Sequence, residues 1–136
     1  KNWRKILDES QPTKLVANDT SVVKIKETEQ LPITVDINKI CSVRKHDRFK
    51  KQNLNKIEEE GLEKPIVLVP NIYGNYMQIK DERKDCMQTW LKSFPFLAYA
   101  GNETITIARK LKYDMISCVI AEDIQWARRY KKALNY

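Results

Sequence analysis

The chain has 136 residues, of which 42% are hydrophobic and 32% are charged. This length suits one domain, and the composition excludes wholesale disorder and a collagen-like structure. Twenty-five Lys and Arg against 18 Asp and Glu give a formal net charge of +7, which favours an anionic partner such as nucleic acid or a nucleotide. No apolar run approaches the roughly 18 residues of a membrane span and no signal-peptide pattern opens the chain, so we expect a cytoplasmic protein without a membrane partner.

The cysteines predict neither a disulfide framework nor a zinc site. Cys41, Cys86 and Cys118 are odd in number and far apart, and no two of them form a CxxC pair. The single histidine, His46, and one nearby cysteine do not supply the four ligands of a tetrahedral zinc site. We therefore expect reduced thiols and no bound metal.

The first thirty residues are predicted to form an N-terminal extension to a domain over residues 31–136. A short amphipathic turn near Trp3 and a strand over 21–26 are the elements expected in the extension.

Apolar periodicity predicts alternating strands and helices in the domain. Leu54 and Ile57 lie on one face of a predicted helix over 50–60, and Gly61 supplies its stop. Residues 103–112 fit a strand and a helix about equally well. Strands are predicted over 33–37, 64–70, 76–79, 94–100 and 116–120, and further helices over 81–92, with Cys86, Met87 and Trp90 inward, and over 122–134.

The positive charge is concentrated in two blocks. Six Lys or Arg stand against Asp47 alone in residues 41–56, and seven stand against three acids in residues 104–136. If folding joins the blocks, they form the positive surface that phosphate binding requires, whereas two ordinary solvated faces are the alternative. The candidate nucleic-acid contacts are Arg44, Lys45, Arg48, Lys50, Lys51, Arg109, Arg128 and Arg129, with His46, Phe49, Trp126 and Tyr130 interleaved or nearby for stacking.

Three stretches together carry a family resemblance. Residues 33–40 are similar to an opening strand, residues 56–67 to a helix that leads through Gly61 and Pro65 into a central strand, and residues 100–120 to a strand end, a turn, a helix and a strand. In this order they resemble the ParB/sulfiredoxin superfamily.

The resemblance implies an α+β fold in a single small domain. The expected architecture is a mixed sheet of about four to five strands with helices packed around it, an insertion around 71–99 and a C-terminal basic helix. It also favours the helix for residues 103–112.

In this superfamily a Gly-x-His-Arg or Gly-x-Arg-Arg turn opens a helix and binds phosphate. The resemblance places Gly101, Asn102, Glu103 and Thr104 in that turn, so an acid stands at the His position and a threonine at the Arg position. The acid removes a phosphate contact and, when ionised, repels an anion. A second alignment puts the Asp-Glu-Arg-Lys segment of residues 81–84 there instead, which keeps basic residues but loses the glycine.

The function implied is that of a DNA-associated ParB-like module that binds nucleic acid or phosphate through a degenerate turn, as expected in a phage or mobile element. The alternative is a nucleotide-dependent phosphotransferase, a kinase or NTPase, with a nucleotide and Mg²⁺ as cofactor and Glu103, Glu82 or Glu58 as base. A nuclease that holds Mg²⁺ between acidic pairs at 81–82 and 122–123 is less favoured. No catalytic residue is singled out.

Overall fold

A computed structural model describes the backbone of residues 23–25 and 28–30 and the whole of residues 31–136. The amphipathic turn expected near Trp3 and the ends of the strand expected over 21–26 lie outside the described residues. The strands are β1 (Val23–Ile25), β2 (Thr28–Gln30), β3 (Ile33–Asp36), β4 (Ile40–Ser42), β5 (Ile66–Pro70), β6 (Phe96–Ala100) and β7 (Met115–Ile120). The helices are α1 (Lys51–Glu60), α2 (Tyr73–Glu82), α3 (Asn102–Lys110) and α4 (Ile124–Ala133), and a short 3-10 helix spans Ile37–Lys39.

Five strands form one mixed sheet in the order β3, β7, β5, β6, β4. The pairs β5–β7 and β4–β6 are parallel, whereas β3–β7 and β5–β6 are antiparallel. Strands β1 and β2 form a separate antiparallel pair. The expected α+β class with a mixed sheet is confirmed.

Helices cover both faces of the sheet, which explains the continuous apolar run of β5. Ile66 and Leu68 lie in one core cluster with residues of α3, while Val67 and Val69 lie in a second cluster with residues of α2 and α4. All four side chains are inaccessible to solvent. Among the helices that the structure describes, none has the length and apolar character that crossing a membrane demands.

Two predicted elements are wrong. The strand expected over 76–79 is part of α2, because Tyr76 and Ile79 are three residues apart and the helix turns both against the sheet. The helix expected over 81–92 is absent, since α2 ends at Glu82 and residues 83–95 contain neither a helix nor a named strand. Cys86 is buried as expected, but the backbone there pairs with Arg44 in an isolated bridge. Strand β4 was not predicted.

The topology brings four chain segments to one edge of the sheet. Because β4 and β6 are parallel neighbours, the loop after β4 and the start of α3 after β6 lie side by side. Strands β5 and β7 run the opposite way to β6, and α2 and α4, which follow them, return toward that same edge.

Candidate phosphate site at the start of helix α3

Gly101 joins β6 to α3 in a left-handed conformation, with φ 95° and ψ 24°. A Cβ atom at this position would clash with Cδ1 of Ile66 and would lie 3.0 Å from the hydroxyl of Tyr136. Both the backbone angle and the space therefore favour glycine. The helix begins at Asn102, so Gly101 stands at the helix start, where the sequence places the turn.

The side chain of Asn102 links the end of β4 to β6 through hydrogen bonds. Its side chain is buried, and its Oδ1 accepts hydrogen bonds from the backbone N–H of Val43 at 3.0 Å and from the hydroxyl of Ser42 at 2.8 Å. Its Nδ2 donates to the carbonyl of Ala98 at 3.1 Å. Both the oxygen and the nitrogen of this buried amide are thus engaged within the protein.

Glu103 binds the start of α1. Its carboxylate accepts hydrogen bonds from the backbone N–H of Lys50 at 2.8 Å and from Nδ2 of Asn53 at 3.0 Å. Helix α1 has no side-chain cap of its own and no acid in its first turn, so Glu103 supplies the negative charge that a helix start favours. The carboxylate of Glu103 thus has a structural partner within the protein.

A cavity of about 450 Å³ lies over the start of α3, and we call it the Gly101 cavity. Arg44 from the first basic block and Lys131 from the second both line it. Glu82 and Arg83 line it as well, so the segments of both possible turn alignments meet at one place. The full lining is Arg44, Glu82, Arg83, Tyr99, Ala100, Gly101, Asn102, Glu103, Thr104, Lys131 and Tyr136.

Several charges in this cavity are already paired. Arg83 binds Asp85 through two hydrogen bonds of 2.9 Å, and this contact is the main cause that lowers the pKa of the Asp85 carboxyl. Glu82 accepts a hydrogen bond from Nε of Arg128 at 2.8 Å and one from the Tyr99 hydroxyl at 2.8 Å. Burial, reinforced by Glu82, raises the pKa of Tyr99 to about 12, so this hydroxyl stays a donor at neutral pH.

Arg44 retains unused donor capacity. Its Nη2 donates to the carbonyl of Arg48 at 2.6 Å, but its buried Nε has no hydrogen-bond partner among the described residues. Buried polar groups are nearly always satisfied, so this Nε is an exception. It is enclosed by protein, and Arg44 must change its rotamer before the Nε can donate to a ligand in the cavity.

A second cavity of about 320 Å³ shares Arg44 with the first, and we call it the Arg109 cavity. Its lining is Asn38, Cys41, Ser42, Arg44, Asp47, Leu91, Phe94 and Arg109. Nη2 of Arg109 donates to the carbonyl of Ile40 at 2.7 Å, which fixes this side chain beside β4. Of the predicted contacts, Arg109 therefore lines the second cavity and not the first.

The other predicted basic residues line neither of these two cavities. Four of them, Lys45, Arg48, Lys50 and Lys51, are exposed on the loop after β4 and at the start of α1. Arg128 is paired with Glu82, and the guanidinium of Arg129 lies 4.5 Å from the ring centre of Trp126. Tyr130 is buried in the core and does not present its ring for stacking.

Of the three carboxylates considered as bases, Glu82 and Glu103 line the Gly101 cavity and Glu58 does not. In residues 31–136 no group of three or more His, Cys, Asp or Glu side chains could hold a metal ion. Asp123 caps α4 by accepting a hydrogen bond from the N–H of Trp126 at 2.9 Å, and Ile124 beside it is buried. Asp123 of that acidic pair therefore has a structural role at a helix start.

Four lining residues were missing from the predicted site, namely Tyr99, Ala100, Lys131 and Tyr136. Lys131 stood out only as one member of a basic block. Tyr136 donates its hydroxyl hydrogen to the carbonyl of Pro65 at 2.7 Å, a contact between distant segments that no local pattern signals.

Comparison with protein-family models, with curated proteins and with solved structures finds no match to this chain.

Proposed function

We propose that this chain is a DNA-associated module that binds nucleic-acid phosphate at the start of α3, through a degenerate form of the ParB/sulfiredoxin turn. The observation that carries the proposal is the Gly101 cavity, where a left-handed glycine, a helix start and cations from both basic blocks border one space. The first backbone N–H groups of a helix lack partners within the helix and favour an anion.

The side chains support an anionic ligand. Arg44 and Lys131 both line the cavity, and Lys131 is exposed with its Nζ 5.9 Å from the ring centre of Tyr99. The carboxylate of Glu103 is held by the start of α1, which offsets part of its repulsion toward a phosphate.

The exposed cations beyond the cavity favour a polymer over a mononucleotide. Lys45, Arg48, Lys50 and Lys51 are exposed on the loop after β4 and at the start of α1, outside the lining of the cavity. A single nucleotide in the cavity does not reach all of these side chains, whereas successive phosphates of a nucleic acid do. Contacts of this kind bind the backbone without reading the base sequence.

The test measures binding of a fluorescent DNA duplex by anisotropy over a series of salt concentrations. We expect affinity to fall steeply with salt, and we expect Lys131→Gln to reduce the slope of log K against log salt by about one. Lys110→Gln is the matched control, since Lys110 is an exposed lysine at the opposite end of α3. Undetectable binding at low salt of both the duplex and a single strand of equal length, or equal effects of the two variants, would contradict the proposal.

The second candidate is a nucleotide-dependent phosphotransferase. The observation in its favour is that the Glu82 carboxylate and the Tyr99 hydroxyl border the same cavity as the start of α3. A carboxylate near a phosphate site is the usual base for phosphoryl transfer to a hydroxyl. Titration of ATP, ADP and CTP with Mg²⁺ should then raise the melting midpoint for at least one nucleotide, and no shift with any of them removes this candidate.

A further inference from the structure

An exposed apolar patch lies beside the Arg109 cavity. Ile72, Tyr73 and Leu91 expose 58%, 54% and 43% of their surfaces, and the half-buried Trp90 and Phe94 adjoin them. We call these five residues the apolar patch. Large exposed apolar side chains that cluster in this way usually mark an interaction site.

The patch is held in one shape by Asn71. Its Nδ2 donates to the carbonyls of Leu91 at 2.8 Å and Phe94 at 2.7 Å, and its Oδ1 accepts from Nε1 of Trp90 at 2.6 Å. The rings of Tyr73 and Trp90 meet edge to face with their centres 5.1 Å apart. Ordering such side chains before binding lowers the entropic cost of the complex.

The patch is continuous with the cationic cavities. Leu91 and Phe94 belong to the patch and also line the Arg109 cavity, where Arg44 and Arg109 provide positive charge. Because Arg44 lines both cavities, a path from Gly101 past Arg44 leads to the Arg109 cavity, whose lining includes Leu91 and Phe94 of the patch. Three acids border this path. Glu82 and Glu103 line the Gly101 cavity and are bound by Arg128 and by the start of α1, whereas Asp47 lines the Arg109 cavity and suits the amino groups of a base better than a phosphate.

A row of cations that ends at exposed aromatic rings matches one class of ligand. In duplex DNA the bases are stacked on each other and offer the protein only their edges, whereas a single strand can place its bases on aromatic side chains. A protein partner without an acidic segment would use the apolar patch but would leave Arg44 and Arg109 without a complement.

We propose that the preferred ligand is single-stranded nucleic acid, with its backbone on the path through Arg44 and its bases on Tyr73 and Trp90. This inference rests on the proposed function and specifies the nucleic acid that the same site binds. Each stacked base contributes enough that its loss weakens binding about 5- to 100-fold.

The test compares an oligothymidine strand with a duplex of equal length by anisotropy at one salt concentration. We expect the single strand to bind more tightly, Tyr73→Ala to weaken its binding about 5- to 100-fold, and Tyr73→Phe to retain it. Leu31→Ala is the matched control, because Leu31 is exposed to a similar degree, at 55%, outside the patch. Binding of the single strand should also quench the tryptophan fluorescence of Trp90→Phe less than that of the unchanged chain.

The outcomes separate this inference from the proposed function. Duplex binding that is as tight as single-strand binding, or an unchanged affinity of Tyr73→Ala, overturns the preference for single strands and leaves phosphate binding intact. The absence of binding to both ligands overturns the two proposals together. Self-association that depends on concentration and disappears in Tyr73→Ala would assign the patch to a second copy of the chain and also overturn the inference.

Discussion

Gly101 and Gly74 differ in what a methyl group would meet. At Gly101 the added atom clashes with Ile66 and the backbone angle is left-handed, whereas at Gly74, in the first turn of α2, no atom lies within 4 Å. We expect Gly101→Ala to lower the free energy of unfolding by about 1–3 kcal/mol and Gly74→Ala to raise it by up to about 1 kcal/mol. Urea denaturation of both variants checks this, and two shifts of the same sign would contradict it.

Among the residues of the site, Asn102 is the one whose replacement we expect to lower the stability of the fold most directly. Asn102→Ala leaves the buried N–H of Val43 without its acceptor, at a cost of about 1–3 kcal/mol, and also removes the bonds to Ser42 and Ala98. Asn55→Ala is the control, since Asn55 is exposed on α1 and alanine is the better helix former. Urea denaturation measures the stability of both variants. If Asn102→Ala loses no more stability than the control, the assigned hydrogen bonds of Asn102 are contradicted.

At the scale of single residues, the sequence predicts the position of Gly101 but not the contacts of Asn102 and Glu103. A glycine at the boundary of a strand and a helix is visible from periodicity and from the family resemblance. The contacts of Asn102 with Ser42 and of Glu103 with Lys50 join residues that are far apart along the chain, so no local pattern shows them.

Helix α1 is the element whose charge most opposes its own dipole. Lys51 stands in its first turn, Glu58, Glu59 and Glu60 stand in its last, and none of its residues is fully buried. Such an arrangement is unfavourable because helix starts prefer anions and helix ends prefer cations. The hydrogen bonds from Lys50 and Asn53 to Glu103, together with the contact of Ile57 with the core, hold α1 in place.

Glu103→Gln should therefore loosen α1 selectively. Loss of the charge is expected to cost about 1 kcal/mol locally, which corresponds to roughly fivefold faster amide exchange in α1 with little change in α3. Hydrogen–deuterium exchange measures this directly. The control is Glu59→Gln, which removes an exposed acid from the unfavourable end of α1 and should slow exchange slightly or not change it. Equal exchange in Glu103→Gln and the parent would contradict the assigned contact.

The sequence predicted correctly those elements whose apolar pattern is clear over their whole length. Examples are β5, which is an unbroken apolar run, and α4, whose apolar residues recur on one helical face. The segment over 71–92 failed because Tyr76 and Ile79 fit either type of element over so short a span, and packing against the sheet decided for a helix. Strand β4 is three residues long, and its place is set by pairing with β6 rather than by its own sequence.

In the molecule as a whole, the three thiols are enclosed by the sheet and its helices. Burial raises the pKa of Cys41, Cys86 and Cys118, most strongly for Cys118 at the centre of the sheet, where β7 pairs with both neighbours. Because the thiolate is the reactive form, we expect slow reaction with a disulfide reagent in the native state and rapid reaction of all three in denaturant. A native thiol that reacts as fast as free cysteine would contradict this.

The raised pKa values of the three thiols also make the stability of the fold depend on pH. The folded chain keeps these thiols protonated, while the unfolded chain releases the protons near the ordinary thiol pKa of about 8.5. The unfolded state therefore binds fewer protons above that pH, and the thiol contribution to stability is complete below about pH 8.5 and falls as the pH rises further. Denaturation midpoints of Cys118→Ala should fall less steeply over this range than those of the parent chain.

The parallel pairing of β4 with β6 also bears on the order in which the molecule folds. These two strands are separated in sequence by α1, β5 and α2, so their pairing closes a long loop, and contacts of high sequence separation form slowly. Arg44 and Gly101 share a cavity only after that pairing, and a fragment that lacks either strand has no partial version of it. During refolding, ligand binding should therefore appear later than the helical signal, and its onset would time the closing of the sheet.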